Sequence, residues 1–325
     1  MVQYELLGNN SPLWDFQKAA IKGERMKYLI IGTGGTGGSI GAYLAKASKD
    51  VTFIARGKHL DAIKEKGLRI IRPNDEFTLF PAKVTDLESY DEKPDVIFVC
   101  VKGYSLDSVI PHLKRIADEK CVIIPILNIF GTGAMMQTHF DNTLVTDGCI
   151  YVAAQIKEPG CIQMNGDILR VIFGVRDKAD YRACLKDIEN DLIKSGIEGI
   201  LSDNIKRDAL LKFSYVSPQG ACGLYYNVPA GKIQEPGKIR DCFIGLIREI
   251  DALANAMDIH FEEDIVERNL AILDSLSPSA TTSLQRDIMA GRDSEIDGLI
   301  FEVVRLADKY GVNLPLYTKI AKYLS

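Results

Sequence analysis

Residues 26–41 read MKYLIIGTGGTGGSIG. The apolar run Tyr28–Ile31, entered through Met26 and Lys27, suits a strand buried on both faces. Glycines at 32, 34 and 37 follow at once and give G-x-G-x-x-G, after which Ser39–Ala47 reads as the helix that opens out of the turn. Gly32 permits the tight turn, Gly34 lets backbone approach a pyrophosphate, and Gly37 lets helix and strand pack closely. The helix N-terminus offers unpaired N–H groups and a positive dipole end to the phosphates. The stretch predicts a dinucleotide site on Gly32, Thr33, Gly34, Gly35, Thr36 and Gly37. A Gly-rich turn of some other α/β protein is the competing reading, and it leaves the fingerprint spacing unexplained.

Outward from this turn, strands and helices alternate. Val51–Ala55 reads as a second strand, His59–Lys66 as a helix closed by Gly67, and 68–80 as short strand pieces. Pro94–Val101 and Cys121–Leu127 are further apolar strands on either side of a helix over Ser105–Ala117, the last strand ending at Asn128. This rhythm predicts a doubly wound, mainly parallel sheet. From Thr143 to Gly174 the pattern becomes strand-rich, broken by Pro159-Gly160 and Asn165-Gly166, and predicts an antiparallel meander extending that sheet. Beyond about residue 200 the chain reads as helical. Apolar residues at 296, 299, 300, 303, 304 and 307 form one core-facing stripe. The expected units are a nucleotide-binding domain over 26–202 and a helical substrate and catalytic domain over 203–325. Residues 1–25 form a polar extension with no apolar signal-peptide core, set apart from the chemistry.

Composition narrows the function. A length of 325 residues suits two domains, and a net charge of −5 without a Lys/Arg block argues against nucleic acid as a partner. No apolar run approaches the length of a membrane span. The seven cysteines never form C-x-x-C and read as buried thiols of a reducing cytoplasm, and the four histidines show no metal-ligand spacing, so no metal site is expected. The second strand ends Ala55-Arg56-Gly57-Lys58, without the acid that accepts hydrogen bonds from an NAD ribose. A guanidinium there holds a 2′-phosphate bidentately, so Arg56 favours NADPH over NADH.

Three further stretches complete a pattern: Val101-Lys102-Gly103, Leu211-Lys212-Phe213, and Ser283-Leu284-Gln285-Arg286-Asp287 followed by Ser294-Glu295-Ile296-Asp297. With the glycine turn and Ile54-Ala55-Arg56-Gly57, the chain from Met26 to its end resembles the ketopantoate reductase (2-dehydropantoate 2-reductase) family. The resemblance implies a Rossmann-type doubly wound α/β domain followed by an all-helical domain like that of 6-phosphogluconate dehydrogenase, with cofactor and substrate between them. It implies NADPH-dependent reduction of a 2-keto acid, ketopantoate, to D-pantoate on the pantothenate route to coenzyme A. Lys212 matches the family's catalytic lysine and Glu295 the glutamate that orients it and contacts substrate. Ser283 and Asn128 match substrate-binding residues, Asn128 also lying near the nicotinamide, and Lys102 matches a lysine on the cofactor side. Helical second domains of this type often pair, which makes a homodimer the candidate assembly.

The chain also departs from the family. Where the family carries asparagines four and eight residues after the catalytic lysine, this chain has Val216 and Gly220. The family's N-G-M-G is here Asn128-Ile129-Phe130-Gly131, and Ile300-Phe301 replaces an Asn-Gly. The loss of two amides predicts a more apolar pocket, or one filled by Ser214, Ser217 or Gln219. Besides ketopantoate reduction, the sequence admits a reductase of another 2-keto acid on the same fold and a non-catalytic nucleotide-binding protein.

Overall fold

The computed structural model describes residues 25–325, so the extension over 1–25 lies, apart from Arg25, outside the described residues. The strands are β1 (Lys27–Ile31), β2 (Asp50–Ile54), β3 (Leu68–Ile71), β4 (Glu76–Leu79), β5 (Val84–Thr85), β6 (Val96–Val99), β7 (Val122–Pro125) and β8 (Leu144–Val145). The long pair β9 (Asp147–Glu158) and β10 (Cys161–Gly174) and the short β11 (Glu198–Leu201) complete them. The helices of this half are α1 (Gly35–Lys46), α2 (Gly57–Lys66), α3 (Leu106–Ile116), α4 (Thr132–Gln137) and α5 (Cys184–Lys194).

Six strands form an all-parallel sheet in the order β5-β2-β1-β6-β7-β8. The chain moves outward from β1 through β2 to β5, then returns to β6 on the other side of β1. The crevice beyond the carboxyl ends of β1 and β6 is therefore the topological switch point, where open α/β sheets bind ligands.

The antiparallel stretch does not extend this sheet as expected. Only the two-residue β8 does so; β9 and β10 form a hairpin in a second sheet. β9 runs along one edge of β10, while β3 and β11 share the other, pairing with Cys161–Gln163 and Arg170–Phe173 respectively. Pro159-Gly160 makes the hairpin turn with Gly160 at φ +79°. Asn165-Gly166 lies inside β10, where the register shifts between Met164 and Leu169, and is a bulge rather than a break.

Helix α1 lies between the two sheets and explains their separation. A Cβ on Gly37 would stand 2.8 Å from Ile30 Cγ2, and one on Gly41 2.7 Å from Ile30 Cγ1, both on the parallel sheet. On the opposite face, a Cβ on Gly35 would come 2.6 Å from the Ala154 carbonyl carbon of β9, and one on Gly38 3.0 Å from Ile162 of β10. Glycine is a poor helix former, yet α1 begins at Gly35, four residues before the expected Ser39. The close approach of two sheets leaves no room for larger residues and overrides propensity.

After β11 the chain is helical: α6 (Ile205–Tyr225), α7 (Ala230–Gln234), α8 (Lys238–Ala256), α9 (Ile265–Ser275), α10 (Ser283–Met289), α11 (Glu302–Tyr310) and α12 (Pro315–Leu324). The Asn204 side chain caps α6 by accepting from Arg207 N–H. Phe243, Leu246, Ile247 and Ile250 of α8 are fully buried at the centre of this half. The C-terminal stripe buries Leu299, Ile300, Val303 and Ala307 as expected, but Asp297–Phe301 adopts a π-helical turn before α11 begins.

Candidate active site

Gly32 follows β1 with φ +96°, and a Cβ there would lie 2.8 Å from the carbonyl oxygen of Cys100, just past β6. Gly34 is the N-cap of α1, and a Cβ there would meet nothing within 4 Å, so backbone alone faces open space. The first turn of α1 has no acidic residue and no side-chain cap, so its N–H groups remain for an anion. These features fit a dinucleotide pyrophosphate. Thr33 contributes differently from its neighbours. Its hydroxyl donates to Ile54 O at 2.8 Å and its N–H to the same oxygen at 3.1 Å, so its side chain is buried inside the fold. Arg56 precedes α2 as its N-cap, is exposed, and forms no ion pair among the described residues.

The second cluster joins the two halves. From α6, the Lys212 ammonium donates to Asn128 Oδ1, just beyond β7, at 2.6 Å. Lys212 is 9% exposed, and burial pulls its pKa below the ordinary lysine value although the Glu295 carboxylate pulls the other way. Lys102, just past β6, donates to Glu295 Oε2 at 2.9 Å and to Asp287 Oδ2 at 3.2 Å. Burial tends to lower the pKa of Lys102, but the two carboxylates outweigh it and hold the ammonium above its usual value. Glu295 also accepts from Gly103 N–H at 3.2 Å.

These contacts add hydrogen-bond partners to the expected pairing of Lys212 with Glu295. Glu295 is hydrogen-bonded to Lys102, and the partner of Lys212 is Asn128. Ser283 is the first residue of α10; Thr282 is its N-cap, in a capping box with Gln285. Ser214 and Ser217 are buried and hydrogen-bonded within the helical half. Ser214 donates to Leu211 O and accepts from the buried Asn269, while Ser217 bonds the Leu299 carbonyl and Tyr317 hydroxyl within the helical core. A Cβ on Gly220 would stand 3.1 Å from Leu284, so that position is packed against α10.

Asp287, Ile129 and Phe130 carry no assigned role in the sequence. Asp287 lies in the quoted Ser-x-x-Arg-Asp run, but its pairing with Lys102 spans 185 residues and has no local signal. The loop after β7 makes three successive contacts across the cleft. Asn128 holds Lys212; Ile129 lodges between Gly103 and Gly298, its Cγ1 standing 2.6 Å from where a Gly298 Cβ would be; Phe130 packs on Phe213 with ring centroids 6.2 Å apart.

Among the described residues no group of three potential metal ligands converges, and no helix is long and apolar enough to cross a membrane. Residues 28–178 match the family model "Ketopantoate reductase PanE/ApbA" and 204–325 match its C-terminal counterpart. A 2-dehydropantoate 2-reductase of Pyrococcus horikoshii is 25% identical over 296 residues, covering 90% of this chain and 94% of that one. A dimeric ketopantoate reductase from Staphylococcus aureus superposes with TM-score 0.78 at 22% identity, covering 92% of this chain and 97% of that one. A D-mandelate dehydrogenase solved with NADH and anilino(oxo)acetate has the same fold, with TM-score 0.81 at 20% identity over 91% of this chain and 96% of that one. The glycine turn, Lys102 and Asn128 fall in the first matched segment, and Lys212, Ser283, Asp287 and Glu295 in the second; the chain belongs to the ketopantoate reductase family of NAD(P)-dependent oxidoreductases.

Proposed function

We propose that this protein reduces a 2-keto acid to the D-2-hydroxy acid with NADPH, with 2-dehydropantoate going to D-pantoate as the leading reaction. It would act in the cytoplasm, on the pantothenate route to coenzyme A, as a homodimer. The observation that carries this reading is a buried ammonium, Lys212, held by Asn128 across the cleft at the carboxyl end of the parallel sheet.

Bound NADPH supplies the hydride that attacks the keto carbon. Negative charge then develops on the keto oxygen, and Lys212 stabilises it and gives up a proton. Burial assists, because a lysine with a lowered pKa is a more ready acid. Asn128 aims the ammonium, while Glu295, fixed by Lys102 and Gly103 N–H, sets the charge around it. Ser283, at the start of α10, supplies a hydroxyl toward the substrate. The glycine turn holds the pyrophosphate, Arg56 the 2′-phosphate, and Lys102 lines the nicotinamide side.

A second reading, reduction of a 2-keto acid with an apolar side chain, draws support from Val216, from Gly220 packed on Leu284, and from the buried Ser214 and Ser217. Steady-state rates with 2-dehydropantoate against branched and aromatic 2-keto acids, each with NADPH and NADH, test both. Fastest turnover of 2-dehydropantoate with NADPH upholds the first reading, and better turnover of an apolar acid replaces it with the second. NADPH binding without oxidation by any of them overturns both and leaves a nucleotide-binding protein. Sedimentation velocity tests the dimer.

A further inference from the structure

His59 lies in α2, three residues beyond Arg56, and its ring joins two segments distant in sequence. Nδ1 lies 3.0 Å from Gly160 N in the β9–β10 turn, and Nε2 lies 2.8 Å from Thr33 O. A backbone N–H can only donate, so Nδ1 is the acceptor and carries no proton. The neutral ring therefore carries its proton on Nε2 and donates to Thr33. Burial favours this neutral form, pulling the His59 pKa below the ordinary histidine value against the opposing effect of the Thr33 carbonyl.

Thr33 is the variable residue of the first Gly-x-Gly. Its N–H and hydroxyl are both committed to Ile54 O, and its carbonyl to His59. In a planar trans peptide the C=O and the following N–H point in opposite directions. Anchoring Thr33 O on His59 thus directs Gly34 N–H away from the ring. Gly34 has no Cβ to resist rotation of that peptide, and a flipped peptide would present a carbonyl oxygen where the pyrophosphate needs a donor.

We propose that His59 is a positioning residue for the dinucleotide: without touching it, the ring locks the Thr33–Gly34 peptide in its anion-accepting orientation and ties that peptide to the second sheet through Gly160. The proposal rests on the dinucleotide reading above. Because the pyrophosphate is common to NADPH and NADH, the effect belongs to whichever of them binds.

Two substitutions of the full chain separate the two bonds. The amide nitrogen of His59→Gln reaches the Nε2 position and keeps a donor for Thr33 O. His59→Asn reaches only the Nδ1 position, keeping an acceptor for Gly160 and losing the Thr33 bond. Binding is read by titrating NADPH and NADH fluorescence, folding by thermal melts, and turnover with any 2-keto acid the parent reduces. His59→Asn should weaken dinucleotide binding about tenfold, the worth of one hydrogen bond, and raise nucleotide KM, leaving kcat at saturating nucleotide within about twofold. His59→Gln should stay within about threefold of the parent. Parent-like binding by His59→Asn, equal losses in both variants, or a fall in kcat at unchanged nucleotide KM would each overturn the proposal while leaving the dinucleotide reading intact. A parent that binds neither nucleotide would bring down both.

Discussion

Replacing Lys102 by methionine removes the one cation shared by two carboxylates across the cleft. Asp287, with a side chain 16% exposed, keeps Arg292 at 2.8 Å; Glu295, at 4%, keeps only the Gly103 N–H. Breaking a fully buried pair costs about 3–5 kcal/mol because the surviving charge is left uncompensated. Lys102 is itself 38% exposed, so solvent recovers part of that, and the expected loss is about 2 kcal/mol. For domains of this size the melting temperature should fall by roughly 5 °C. Glu295→Gln in the same background removes the stranded charge, so the double variant should be more stable than Lys102→Met alone. The assay is a double-mutant cycle by urea unfolding, with the nucleotide absent. A coupling energy below about 0.5 kcal/mol would mean that the pair is no more than a solvent-screened surface contact, and the electrostatic account of the cleft would fail.

Three further outcomes follow from the site. Lys212→Met should lower turnover by about 10²–10⁴-fold while nucleotide affinity holds, in steady-state and binding assays; unchanged turnover would remove the proposed acid. With Lys212 as the proposed acid, reduction requires it protonated, and burial holds its pKa below the ordinary lysine value. The rate in a pH profile should therefore fall with rising pH at a limb below 10.5, while the reverse oxidation gains along the same limb. Arg56→Gln should weaken NADPH by about tenfold or more and leave NADH nearly unchanged, since only the former carries the 2′-phosphate; equal losses in the two Kd values would refute the assignment.

What the sequence made legible was local. The strand Tyr28–Ile31, the glycine spacing and the apolar helical stripe around 300 each follow from nearest neighbours along the chain. The second sheet was not legible, because β10 pairs with β3 and β11 far away in sequence, and hydrophobic alternation names a strand without naming its neighbour. Gly35 and Gly38 illustrate the same limit: the fingerprint accounts for 32, 34 and 37, but the need for small residues at 35 and 38 comes from a hairpin more than a hundred residues on. The sequence pairs Glu295 with Lys212 but gives no sign of its hydrogen bond to Lys102, since nothing local tells which lysine a carboxylate 193 residues away will meet. Thr282 and Ser283 are adjacent hydroxyls, and only backbone geometry decides which caps α10.

The loop at 128–131 ties three contacts between the two halves of the chain to one another. Parting the lobes enough to free Ile129 from Gly298 also draws Asn128 off Lys212 and Phe130 off Phe213. With Lys212 as the proposed acid, its aim holds only while these three contacts hold together, and a shift of this one loop would undo it.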